Sequence, residues 1–172
     1  GGNLIFSGLH FYAAHKDPNH LDYQSSNQSS GLVRFVGDGA DILFEDIHSE
    51  YVGWVFQGWP NETSRYENVA IRRSFIEKNY NLPGGAHAQG IWSSYTHGLL
   101  LEDSSWYHNG WRADMPETAT TFNRNIYLSH SLEDVVFRNN FSLMSATTGG
   151  QFRSGGKIFG NVISHGTAGI QL

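Results

Sequence analysis

The chain has 172 residues, a formal net charge of −5, 39% hydrophobic and 16% charged residues, and no cysteine. That length suits one domain, 1–172, with a single core, and the acidic balance argues against a nucleic-acid partner, because neutralising phosphates needs Lys and Arg. The longest apolar runs, such as Leu99–Leu101, fall far short of the roughly 20 residues that span a bilayer, so no membrane partner is expected. The absence of Cys removes disulfides, thiolate metal sites and Cys nucleophiles. Twenty Gly and 14% aromatic residues without collagen periodicity fit β structure rich in turns. No signal-peptide pattern is present, and the start on Gly-Gly without Met leads us to expect a processed chain or a piece of a longer one.

A short motif recurs along the chain: apolar residues in alternation, a polar pair, then another apolar position. It occurs at 3–11 (NLIFSGLHF), 41–49 (DILFEDIHS), 68–76 (NVAIRRSFI), 98–106 (GLLLEDSSW) and 134–142 (DVVFRNNFS), with a degenerate copy at 157–164 (KIFGNVIS). Leu4, Ile42, Val69, Leu99 and Val135 align, and two places on stand Phe6, Phe44, Ile71, Leu101, Phe137 and Phe159. The steps between the first set are 38, 27, 30 and 36 residues (42 − 4, 69 − 42, 99 − 69, 135 − 99). So variable a period excludes paired-helix repeats and suits a β-solenoid, whose turns accept insertions while its strands stack. No sustained helical apolar stripe with capping signals is present, so little or no α-helix is expected.

The next column is Ser7, Glu45, Arg72, Glu102, Arg138 and Gly160, and after it come Gly8, Asp46, Arg73, Asp103, Asn139 and Asn161, residue types mostly suited to a bend. Parallel stacking would turn Glu45–Arg72–Glu102–Arg138 into an alternating charge ladder on the exterior. A second strand follows each motif, at 31–35, 53–57, 90–94, 125–129, 149–153 and 169–172. Alternation points Trp54, Phe56, Ile91, Ser93, Ile126, Leu128, Ile170 and Leu172 inward. The outer face then carries Val33, Phe35, Val55, Gln57, Trp92, Ser94, Tyr127, Ser129, Gln151, Arg153 and Gln171, a register that places Arg34 inside.

The run 90–111 (GIWSSYTHGLLLEDSSWYHNGW), then 122–142 (FNRNIYLSHSLEDVVFRNNFS), then 149–172 (GGQFRSGGKIFGNVISHGTAGIQL) resembles right-handed parallel β-helix repeat proteins of the pectate-lyase-like group, and the resemblance extends from about Asn3 to Leu172. It implies an all-β fold, a right-handed parallel β-helix of about six coils. It also implies a secreted or cell-surface location and a polysaccharide or oligosaccharide partner. Calcium enters as a cofactor by the resemblance alone, and no dense Asp cluster of the pectate-lyase type accompanies it; the cofactor is otherwise unknown. Family enzymes usually carry a cap on the solenoid end. Strand-like sequence at both ends of this chain therefore leads us to expect another chain or further segments covering the terminal coils.

Trp92, Tyr127, Gln151 and Arg153 should stand on successive coils, about 4.8 Å apart, where rings stack on sugar faces and Gln and Arg bond hydroxyls or carboxylates. The competing reading is an ordinary β surface. His87, His97, His108, His130 and His165 fall at or near turns. A β-elimination lyase needs a group to neutralise the uronate carboxylate, a base and an acid. Arg153 is assigned the first role and Tyr127, with His130 or His108, the proton transfers; Trp92, Gln151 and His87 are assigned to substrate binding, and no metal ligand is assigned. A non-catalytic carbohydrate-binding, adhesin-like or scaffold solenoid is the alternative. A glycoside hydrolase, using Asp114 with Glu117 or Glu133 with Asp134, is a third. The His10–His48 pair, at equivalent ladder positions, is read as structural, and the polar insertion 10–31 as a surface loop over one face.

Overall fold

The computed structural model describes residues 2–26, 31–60, 64–84, 87–164 and 166–172. In the first five coils each repeat motif becomes a long strand, a corner and a short strand, in the sixth both strands have three residues, and the second apolar segment becomes the third strand of its coil. The first coil is β1 (Gly2–Ser7), β2 (His10–Tyr12) and β3 (Gly31–Val36); the second is β4 (Gly39–Glu45), β5 (His48–Glu50) and β6 (Val52–Gln57). The third is β7 (Tyr66–Arg72), β8 (Phe75–Glu77) and β9 (Gln89–Ser94), and the fourth β10 (Thr96–Glu102), β11 (Ser105–Tyr107) and β12 (Arg124–Leu128). The fifth is β13 (Glu133–Arg138), β14 (Phe141–Leu143) and β15 (Thr148–Phe152), and the sixth β16 (Lys157–Phe159), β17 (Val162–Ser164) and β18 (Ala168–Gln171). Equivalent strands pair in parallel into three six-stranded sheets: A from the first strands, B from the second and C from the third. The protein is a parallel β-helix of six coils. Among the described residues the helical segments are two 3-10 turns, Ala14–Lys16 and Pro116–Thr118.

The corners explain the polar column. Gly8, Asp46, Arg73, Asp103, Asn139 and Gly160 all have φ between 46° and 67°, the left-handed conformation that Gly tolerates and Asn and Asp adopt most readily among the rest. Asn and Ser side chains then stitch one coil to the next. Ile47 N donates to Ser74 Oγ, Ser74 N to Ser104 Oγ, Ser104 N to Asn140 Oδ1 and Asn140 N to Asn161 Oδ1, at 2.8–3.1 Å. Corner amides that no sheet ladder reaches are thereby satisfied in the interior. The bore holds Phe44, Trp54, Phe56, Ile71, Leu101, Trp106, Phe137 and Phe152, all fully buried. Phe6 stacks on Phe44 at 4.8 Å and Phe35 on Phe56 at 5.2 Å.

The exterior charge ladder is present. Glu45, Arg72, Glu102 and Arg138 are consecutive register partners, and Arg72 bonds Glu45 as Arg138 bonds Glu102. Two details of the expected register differ. In the last coil Ile158, not Phe159, pairs with Phe137, while Phe159 pairs with Arg138 and is exposed. Accordingly Gly160 takes the left-handed corner and Asn161 joins the amide ladder. Both Ile158 and Phe159 are apolar, so alternation alone could not choose between them; the corner glycine does. In the first coil Val33 and Phe35 pair with Trp54 and Phe56 and pack on the core, and Arg34 points outward to Gln57 Oε1 at 2.6 Å. There apolar residues flank Arg34 on both sides, and the cost of burying its charge sets the register.

Candidate functional site

Four coils build a groove of about 700 Å³ on the outer side of sheet C. Its floor includes Tyr127 and Gln151, register partners on β12 and β15 in the outward column of that sheet. Thr121 and Phe122, at the end of the insertion between β11 and β12, line it together with Thr147, Thr148, Thr167 and Ala168 on the next two coils. His87 and Gln89 close it at the third coil, where the His87 ring stacks on Phe122 at 4.6 Å.

The centre of the groove is a phenol between two guanidiniums. Arg153 Nη1 donates to the Tyr127 hydroxyl at 3.2 Å, and the Arg124 guanidinium lies over the Tyr127 ring at 5.3 Å. Arg124 is only 6% exposed and bonds Gln151 Oε1 and the Thr121 carbonyl, while its buried Nε has no partner among the described residues. Burial pushes its pKa down, countered by Tyr127. The described lining residues include no Asp or Glu. On a chain of net charge −5 this is a local concentration of positive charge, which favours an anionic occupant.

Of the residues singled out in the sequence, Tyr127, Arg153, Gln151 and His87 line this groove, but Gln151 and Arg153, two residues apart at β15, share the fifth coil instead of standing on successive ones. Trp92 is one rung away on the same column, half-buried, and stands outside the lining. His130 is exposed in the turn after β12, also outside it. His108 lies at the corner after β11, beside Trp111 at 4.6 Å, and burial lowers its pKa. His97 sits on sheet A between Glu67 (2.9 Å) and Asp134 (3.0 Å), and His165 lies outside the described residues. Asp114 is held by Arg112, Glu117 is exposed, and Glu133 and Asp134 lie at the start of β13 on sheet A. Sequence reading missed Arg124. Counting back from Ile126 by twos puts it on the inner side, but the adjacent Asn125 and Ile126 of β12 are both fully buried, which breaks that count. The buried Asn125 side chain turns in to the carbonyls of Trp106 and Leu143, and Arg124 turns out into the groove.

No known family model, curated protein or solved structure matches the chain.

The calcium implied by the resemblance does not fit the groove. Calcium takes six to eight oxygen ligands, usually with several carboxylates, and the described lining offers none. What the groove can do is bind a carboxylate bidentately through guanidinium, stack a sugar face on Tyr127 and move a proton at the Tyr127 hydroxyl.

Proposed function

We propose that this protein is a carbohydrate-active β-helix of the pectate-lyase-like kind, which lays an acidic polysaccharide along the sheet C groove and cleaves it by β-elimination. The observation that carries the reading is the Arg124–Tyr127–Arg153 cluster in a groove whose described lining has no carboxylate. In this scheme Arg153, with Arg124 behind it, neutralises the uronate carboxylate and thereby acidifies the neighbouring carbon–hydrogen bond. Once its hydroxyl proton has been released to solvent, the Tyr127 phenolate oxygen, held between the two guanidiniums, takes that proton; the electron pair forms the new double bond, and the glycosidic carbon–oxygen bond breaks. The departing oxygen receives a proton from Tyr127 or from His87 at the groove end. On this reading the protein works outside the cell or on its surface, where such polymers occur.

A non-catalytic module that binds the same polymer is the second reading. It is favoured by the position of His108 and His130 outside the lining, which leaves Tyr127 and His87 as the proton carriers. The test is a panel of pectate, alginate and glycosaminoglycans, followed by the ultraviolet absorbance of the unsaturated product and by calorimetric binding. Tyr127→Phe is expected to bind normally and to lose at least about 100-fold in turnover; Arg153→Ala and Arg124→Ala should weaken both. Binding without product would select the module. A chain that neither binds nor cleaves any acidic polymer would overturn both readings.

A further inference from the structure

We propose a second site on sheet B, independent of the groove: His10, His48 and Glu50 bind one divalent transition-metal ion of the zinc, nickel or copper class. His10 and His48 are register partners on β2 and β5, and their imidazoles stack at 4.5 Å with 4° between the planes. Glu50 follows His48 by two residues and so shares its outward face. One donor atom from each of the three lies within 4.8 Å of the other two. Tetrahedral zinc at about 2.0–2.2 Å from each ligand needs the two rings to turn out of their parallel stack so that their in-plane lone pairs converge on the ion. The donor set of two imidazoles and one carboxylate suits these metals better than calcium or magnesium, which take oxygen.

The surroundings divide the carboxylate between two tasks. Lys78 Nζ holds Glu50 Oε1 at 2.9 Å, while Oε2 faces His10 Nε2 at 3.9 Å, too far for a hydrogen bond. That gap is where an ion would sit. The buried Glu77, itself 3.3 Å from Lys78 Nζ, lies 2.9 Å from His48 Nε2, the outer-shell support that metal-binding imidazoles usually have.

Calorimetry on chelator-treated protein, with zinc chloride and then nickel chloride as probes, should find one saturable site per chain. His10→Phe separates a metal site from a structural stack, because Phe75 already stacks on His48 at 5.5 Å and 8°, so a phenyl ring keeps the ladder and removes only the donor. We expect His10→Phe and Glu50→Gln each to weaken binding by at least about tenfold, with unchanged circular dichroism and unchanged behaviour at the groove. Wild-type affinity in either variant, or no saturable binding by the wild type, would overturn the proposal.

Discussion

Lys16, Arg112 and Arg124 are the buried cations among the described residues, and the sequence announced the burial of none of them. Lys16 sits in the 3-10 turn of the first insertion, 3% exposed, with Nζ 2.9 Å from Asn79 Oδ1, bonded to the Tyr80 carbonyl and 4.8 Å from the Tyr80 ring centre. Burial lowers its pKa from 10.5 to about 7. Between those pH values the unfolded chain holds a proton that the folded chain has released, so stability rises with pH through that window; below pH 7 the penalty is fully present. Tyr51 and Tyr80, whose pKa values burial raises, stay protonated over most of the window. The urea midpoint should therefore climb from pH 7 towards pH 10, and Lys16→Met should flatten that slope. A steeper slope in the variant would contradict this account. Nothing in the polar run 10–31 distinguishes Lys16 as buried. Its partners are more than 60 residues away, on the corner after β8.

The corners rather than the strands set how tightly the coils stack. Asn109 and Asn125 fill the turn from sheet B to sheet C, where Asn109 N donates to Asn125 Oδ1 at 3.0 Å. Gly90 leaves room for them: a Cβ there would stand 2.6 Å from the Asn125 carbonyl oxygen and 3.0 Å from Asn109 Nδ2. Gly90→Ala should destabilise by about 1–3 kcal/mol through overpacking. Asn140→Ala removes the acceptor for Ser104 N and the donor to the Leu101 carbonyl, and leaving those buried groups unpaired should cost about 1–3 kcal/mol. Urea unfolding followed by circular dichroism measures both, and a change under 0.5 kcal/mol, the usual size for a plain surface substitution, would contradict the ladder's role. The strands were legible because alternation recurs in each copy. The corners were legible as polar positions, but the stitching from one coil to the next was not, since it depends on which residues stacking brings together.

Stability in such a stack is a sum of coils and of the interfaces between neighbouring coils, so the terminal coils lack half of their partners. In this chain Leu4, Ile5 and Leu32 are exposed on the first coil, and Phe159, Val162 and Ile170 on the last. Exposed parallel edges with apolar side chains template further pairing, and Lys on an edge strand blunts it. Light scattering of the 172-residue chain should show mass rising with concentration, and Leu4→Lys with Ile170→Lys should shift the molecule towards monomer. A strictly monomeric wild type would refute that expectation. The two longest insertions also meet: Arg112 Nη1 donates to the Tyr23 hydroxyl at 2.6 Å and to that of Tyr80 at 3.1 Å. This contact braces the insertion whose end, Thr121 and Phe122, walls the groove.

Residue pattern alone is enough for the β-helix, its six coils, the charge ladder and the sharing of one outer face by Tyr127, Gln151 and Arg153. Each of these follows from period-two alternation and from stacking like on like, which every copy of the motif repeats locally. The slip of the last coil, the turn of Arg124 into the groove, the burial of Lys16 and the approach of Glu50 to the His10–His48 pair emerge from long-range packing instead. Those depend on corner geometry and on insertions packing across distant coils. There the energy lies in contacts between residues tens of positions apart, which no local pattern encodes.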